Sequence, residues 1–225
     1  MTIVPRSACL LIAAALAATS LAAEANVTTY SSRATFSSLG SISENYGFED
    51  INTGSNGFLH QPNPFTTHGI TYNTGGNNVV IDLGPGPTGK AFVSDAPIGT
   101  VGYISGSFAN SYSMFGFDLG TFLGSYPVPV TVSLQTNLGS YNSLIGLVAQ
   151  EAPGPAFLGF SVGPGEHFTS FSIAATTIDT TPVLDNVTLG VVTASPIPEP
   201  DILSMLTSGL ALLGFGIRRR RSKSV

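Results

Sequence analysis

The 225-residue sequence contains a single cysteine and no tryptophan. That cysteine, Cys9, sits ahead of an N-terminal apolar run, so the rest of the chain can form no disulfide and offers no thiolate to zinc. Positive charge is nearly as scarce. Between residues 26 and 197 only Arg33 and Lys90 are basic, against ten acidic residues, for a net charge of −8. Such a surface repels phosphate backbones and supplies no basic patch, which excludes nucleic acid as a partner. No sustained 3.6-residue apolar period and no internal repeat runs through this region, which argues against a helical domain.

In their place stand short β-branched and aromatic runs divided by Gly, Pro and Asn clusters, with 26 Gly and 15 Pro in the whole chain. This is the pattern of an all-β sandwich or barrel. The spacing predicts strands over residues 27–30, 45–51, 69–73, 79–83, 91–94, 100–104 and 113–119. Further strands are predicted over 128–136, 141–148, 157–161, 169–175 and 183–192. Alternation is clearest at Val128, Val130, Val132 and Leu134, and again at Phe171 and Ile173, where one face must be buried. Pro129 cannot donate a ladder hydrogen bond, so it belongs at an edge or a bulge. Residues 31–39 read as one helical turn, with Ser32 as N-cap and Phe36 and Leu39 as its apolar face.

The two ends of the chain read differently. Residues 1–25 carry Arg6, an Ala/Leu-rich run and Ala23-Glu24-Ala25 as an A-x-A cleavage site, the marks of a secretory signal helix. A single β-domain follows over 26–194, and residues 195–225 form a linker and an anchoring segment. That last segment places Pro198, Glu199 and Pro200 before an uncharged apolar run of 16 residues, 202–217, and then Arg218, Arg219, Arg220 and Arg221. As a helix the run would rise roughly 24 Å at about 1.5 Å per residue, somewhat short of a hydrocarbon core of about 30 Å. Snorkelling flanks can absorb that mismatch, and four arginines hold their end in the cytoplasm. The expectation is a short transmembrane helix with the body outside.

This order of Pro-Glu-Pro, apolar span, arginine cluster and chain end resembles the PEP-CTERM sorting domain of Gram-negative bacteria. The resemblance implies that Pro198, Glu199 and Pro200 are read by an exosortase, a membrane-embedded processing enzyme, and that residues 202–221 are a transient inner-membrane anchor. It further implies a periplasmic body that reaches the cell surface or the outside after processing, in association with extracellular polysaccharide or biofilm. The body's landmarks, Gly47-Phe48-Glu49, Gly69-Ile70-Thr71-Tyr72, Phe115-Gly116-Phe117-Asp118-Leu119 and Leu184-Asp185-Asn186-Val187, resemble the β-sandwich cargo of such proteins. That implies a jelly-roll-like fold related in architecture to carbohydrate-binding modules.

Three catalytic patterns fail on their own chemistry. Residues 84–90 fit G-x-x-x-x-G-K, but Pro85 and Pro87 remove two phosphate-binding N–H groups and Ala91 replaces the magnesium-binding hydroxyl. Gly159-Phe160-Ser161-Val162-Gly163 fits G-x-S-x-G, but the following Gly-Pro-Gly prevents the helix of a nucleophile elbow. His60, His68 and His167 share no metal-ligand spacing.

The sequence therefore points to a non-catalytic exported protein of the cell surface or matrix. A carbohydrate-binding module for exopolysaccharide is the alternative, since seven tyrosines lie in the body and each could stack on a sugar or pack in the core. A polysaccharide-active enzyme ranks third, because the sequence pairs no two acids across a cleft. One cofactor is suggested, a structural calcium ion. Glu49 and Asp50 close an early strand and Asp185 and Asn186 lie in the last one, so their oxygens could clasp the two ends together. The competing reading makes each an ordinary turn acid bonded to backbone N–H groups.

Overall fold

The computed structural model describes residues 25–83, 89–122, 127–148 and 156–193. The predicted signal helix and transmembrane helix, with the whole sorting motif, lie outside them. Among the described residues no helix is long and apolar enough to cross a membrane.

The body is all-β, as its pattern predicts. β1 (Val27–Tyr30) leads into the one described α-helix, α1 (Arg33–Ser37), then β2 (Gly40–Tyr46), β3 (Phe58–Gln61), β4 (Phe65–Thr67), β5 (Ile70–Thr74), β6 (Asn77–Asp82) and β7 (Lys90–Asp95). The longer strands follow: β8 (Tyr103–Tyr112), β9 (Met114–Phe122), β10 (Val128–Thr136), β11 (Ser140–Val148), β12 (Ala156–Val162), β13 (Phe168–Ala175) and β14 (Thr181–Val192). They form two antiparallel sheets in a jelly-roll-like sandwich. One runs β1-β12-β9-β14-β7-β6-β3, with β2 also paired to β14, and the other runs β11-β10-β13-β8-β5-β4.

Period-two alternation builds the core between the sheets. Val130, Val132 and Leu134 of β10 face inward with Phe171 and Ile173 of β13, and all five are essentially buried. The other sheet answers with Phe92, Phe115, Phe117, Phe160 and Leu184. Its alternate residues Val79, Ile81, Ala91, Val93 and Val183 form a second, smaller apolar cluster on its outer face. A sheet apolar on both faces is what the near-continuous hydrophobic runs of β6 and β7 require.

The helical turn forms as predicted. Ser32 Oγ accepts from Thr35 N at 3.3 Å, and Phe36 is fully buried while Leu39 is only partly so. Phe36 lies over Gly116 and Gly159, neighbours across β9 and β12; a Cβ on Gly159 would stand 2.6 Å from its ring. Glycine is needed there for the close approach.

Several boundaries differ from the sequence reading. Residues 45–51 do not form one strand: β2 ends at Tyr46, and Phe48–Asp50 is a 3-10 turn that drops Phe48 into the core. β3 and β4 were not predicted, being short, partly exposed edge pieces separated by Pro62 and Pro64. Pro129 lies at a bulge, with a register shift against β11 beside it, although its strand is flanked on both sides rather than at an edge.

β1 begins and β14 ends at one pole of the sandwich. Val27 pairs with Val162, Ser161 with Met114, and Met114 with Gly190 near the end of β14. Thr181, at the start of that 12-residue strand, marks the opposite pole, roughly 35 Å away at about 3.3 Å per residue.

Candidate functional site

β14 slips register against β9 between Asp185 and Thr188, and Asn186 takes φ of 47° there. The slip gathers a polar cluster. Arg33, delivered by α1, donates to Asp118 Oδ1 at 2.7 Å, to Thr188 Oγ1 at 2.7 Å and to the Asn186 carbonyl at 3.1 Å. Its guanidinium also lies 4.4 Å from the centre of the Phe157 ring. Asn186 Nδ2 donates to Asp118 Oδ2 at 2.9 Å and to Asp185 Oδ2 at 3.2 Å. Asp185 is 2% exposed, and burial pushes its carboxyl up to about 7. The Asn186 backbone N–H and Arg33 oppose that rise, while the charges of Asp118 and Glu49 add to it.

Of the four residues read as calcium ligands, Asp185 and Asn186 bring oxygens to Gly47, while Glu49 reaches it only with its Cγ and turns its carboxylate to Lys90. A Cβ there would stand 3.0 Å from Asp185 Oδ1, 3.5 Å from Asn186 Oδ1 and 3.7 Å from Glu49 Cγ. Glu49 Oε1 accepts from Lys90 N at 2.7 Å, and Lys90 Nζ returns a bond to the Glu49 carbonyl at 2.9 Å. Asp50 turns elsewhere: its carboxylate is 66% exposed and stands 3.8 Å from His68 Nε2. Among the described residues no three His, Cys, Asp or Glu side chains are grouped as a ready-made metal cage. Sequence reasoning missed Arg33 and Asp118 here. Asp118 stood inside a quoted landmark, but nothing in the sequence shows that it faces Arg33.

The histidines stay apart. His68, in the tight turn between β4 and β5, stacks on Tyr46 at 4.2 Å with Nδ1 3.4 Å from Glu44 Oε2. Behind it the Tyr46 and Tyr72 hydroxyls bond to one another, and burial raises both well above the ordinary phenol value. His60 packs edge-on to Phe58, and His167 lies by a loop, its N–H bonded to Asn137 Oδ1. Ser161 is the next-to-last residue of β12, 7% exposed and bonded to the Tyr30 hydroxyl at 3.2 Å. Lys90 begins a strand rather than a helix, and residues 84–88 lie outside the described ones. Tyr46, Tyr72 and Tyr112 are core residues, and among the described tyrosines only Tyr103 is exposed.

Two cavities adjoin at the Thr181 pole. A groove of about 340 Å³ lies on the outer face of the larger sheet, between Phe58, His60, Phe122 and Asp95, with Val79 and Val93 in its floor. A cavity of about 230 Å³ is walled by Thr181, Asp179, Ile98 and Thr100. Ser94 belongs to both.

A family model, the PEP-CTERM protein-sorting motif, matches residues 196–221. No curated protein matches the chain. Among solved structures, the chain is similar to the CBM22-1 xylan-binding domain of Xyn10C from Paenibacillus barcinonensis. The identity is 12% and the TM-score 0.42, over 69% of this chain and 97% of that one. It is likewise similar to a family 29 carbohydrate-binding module, at 12% identity and a TM-score of 0.38, over 64% of this chain and 97% of that one. Likeness at this level carries no argument about a ligand.

Proposed function

We propose that this chain is an exported, non-catalytic protein of the cell surface or extracellular matrix, delivered by its C-terminal signal. The sorting motif at residues 196–221 is the observation that carries the reading. A motif of this kind implies export and C-terminal membrane anchoring before processing. In this reading an exosortase-type enzyme recognises Pro198, Glu199 and Pro200, and the span ending at Arg218, Arg219, Arg220 and Arg221 holds the protein in the inner membrane meanwhile. The body supports a non-catalytic role. Its one nucleophile-like serine, Ser161, is buried in a strand against Tyr30.

Fractionation tests this. The full-length chain should sediment with the inner membrane and be protease-accessible from the periplasmic side. Replacing Pro198, Glu199 and Pro200 by alanine should trap it there unprocessed. A chain that remained soluble in the periplasm with its tail intact would sink the proposal.

We also propose that calcium ties the early part of the chain to its last strand through Asp185 and Asn186, whose oxygens face Gly47, with Glu49 beside them turning its carboxylate from Lys90 N to the ion. Asp50 is not part of that set, since it faces His68. The chemistry is suitable: carboxylate and amide oxygens are what calcium takes, and a divalent cation would offset the mutual repulsion of Glu49, Asp118 and Asp185.

A further inference from the structure

We propose that Glu166 is the receptor for the chain's own new amino terminus. Cleavage between Ala25 and Asn26 creates an ammonium that this buried carboxylate holds as an ion pair. The inference rests on the export reading, since only an exported chain loses its signal segment.

Glu166 stands in the turn between β12 and β13 and is 6% exposed. Acids are seldom so buried without a countercharge. Yet among the described residues no Lys, Arg or His forms an ion pair with it. Its hydrogen bonds come from neutral donors. Oε1 accepts from the Thr136 hydroxyl at 2.6 Å, and Thr136 Oγ1 itself accepts from Leu138 N at 3.2 Å and Gly139 N at 3.1 Å. The other oxygen, Oε2, faces the backbone nitrogen of Asn26 at 3.3 Å, from 140 residues away.

The carboxylate is held in place without help from Asn26. Glu166 N donates to the Gly163 carbonyl at 3.1 Å, and Asn137 Nδ2 donates to the Gly165 carbonyl at 3.1 Å. Asn137 N donates to the His167 carbonyl at 3.1 Å, and His167 N donates back to Asn137 Oδ1 at 2.9 Å. The turn after β10 thus fixes the turn before β13, and the acid on it aims at one backbone atom.

That atom is the one that export would set free. Asn26 directly follows Ala23-Glu24-Ala25, the A-x-A site of the sequence. In the cleavage, water adds its hydroxyl to the Ala25 carbonyl carbon and the bond to Asn26 N breaks. The proton of the new Ala25 carboxylic acid passes to the released amine. An α-amino group ordinarily titrates at about 7.7–8.0, so at neutral pH it is mostly an ammonium. The uncleaved amide offers Glu166 one neutral N–H, whereas the ammonium offers a full charge at the same place. Asn26 is otherwise exposed, so the remaining N–H groups reach water. Hydrogen bonds between two charged partners are the stronger kind.

The pair would fasten the two sheets to each other. β1 is a four-residue strand at the edge of the larger sheet, bonded there to β12. Thr136 closes β10 of the smaller sheet. A line of bonds therefore runs from the start of β1 through Glu166 to the end of β10, in a body that has no disulfide. Before cleavage the acid lacks its countercharge, so the sandwich reaches full stability only after export.

The test exports the full chain with its own signal from a Gram-negative host and purifies it from the membrane in detergent, as the parent and as Glu166→Gln. Both are also made on an Ala25→Arg background, where a large charged residue before the scissile bond blocks cleavage. Mass spectrometry should find Asn26 as the first residue of the parent. An amine-acetylating reagent at neutral pH should modify the Asn26 α-amine about fivefold faster in Glu166→Gln than in the parent, with Lys90 unchanged as the internal reference. Glu166→Gln should lower the melting temperature of the cleaved chain by about 2–4 °C and leave that of the uncleaved chain level or raised. A first residue other than Asn26, or equal amine reactivity in parent and variant, would overturn the proposal. So would the same melting shift in both backgrounds, which is what a merely structural Glu166 gives. A parent that keeps Met1 would refute export itself, whereas a chain cut at Asn26 but indifferent to Glu166 would leave export standing.

Discussion

Asp185→Asn probes a carboxyl that burial holds far above its ordinary value. The Asp185 carboxyl is 2% exposed and held at about 7, against an ordinary 3.8. Its proton is therefore bound more tightly in the folded chain than in the unfolded one. The stability that this supplies is fully present below about 3.8 and is lost as pH rises through about 7. At about 1.4 kcal/mol per tenfold, the shift at face value is roughly 4 kcal/mol; solvent screening in this partly open cluster reduces a working figure to about 2 kcal/mol. Asparagine keeps an oxygen for the Asn186 N–H, now 2.6 Å away, and loses the acceptor for Asn186 Nδ2 at 3.2 Å, at a cost of about 1 kcal/mol. In EDTA, the Asn variant should then melt a few degrees above the parent at pH 8.5 and slightly below it at about pH 4. Millimolar calcium should raise the parent at pH 8.5 and leave the variant unmoved. Binding at a hundredfold excess over Kd would be worth about 2.7 kcal/mol. Parallel melting curves for parent and variant across about pH 4 to 8.5 in EDTA would refute the account of Asp185. An identical parent midpoint in EDTA and calcium would remove the metal.

Two further outcomes follow from packing. Phe115 is fully buried, with ring centres of Phe171 at 4.8 Å, Phe117 at 4.9 Å and Phe108 at 5.0 Å, so Phe115→Ala should cost about 3–5 kcal/mol in urea unfolding. A loss under 1 kcal/mol would mean that the two sheets do not close on this ring. Gly159→Ala puts a methyl group 2.6 Å from Phe36 and should cost about 1–3 kcal/mol, most of it recovered in a background where Phe36 is already alanine. Full additivity of the two changes would contradict the contact.

The fold was legible where one face of a strand is buried and the other is not. β10 follows residues 128–136 as read, because Val128, Val130, Val132 and Leu134 alternate with residues that a sheet can leave partly open. Legibility failed where a strand has little to bury. Gly40–Tyr46 carries one well-buried side chain, Tyr46, so the eye moves to Tyr46, Phe48 and Ile51 and joins them into a strand that Gly47 in fact breaks. Phe58–Gln61 reads as loop because its side chains stay largely in solvent and its pairing with β6 is a backbone matter.

Sites divide along a similar line. Asp185 and Asn186 were legible as oxygen donors in the last strand, and the register shift against β9 is where they sit. Arg33 could not be assigned: its partner Asp118 is 85 residues away, and only the docking of α1 beside β9 and β14 joins them. Ser94 and Thr181 were still harder to see. Serine and threonine are common throughout this body, and no spacing distinguishes these two. What marks them is a property of the folded state alone, burial without a hydrogen-bond partner. Burial of that kind leaves no motif, so the one functional signal legible in the sequence is the sorting motif at residues 196–221.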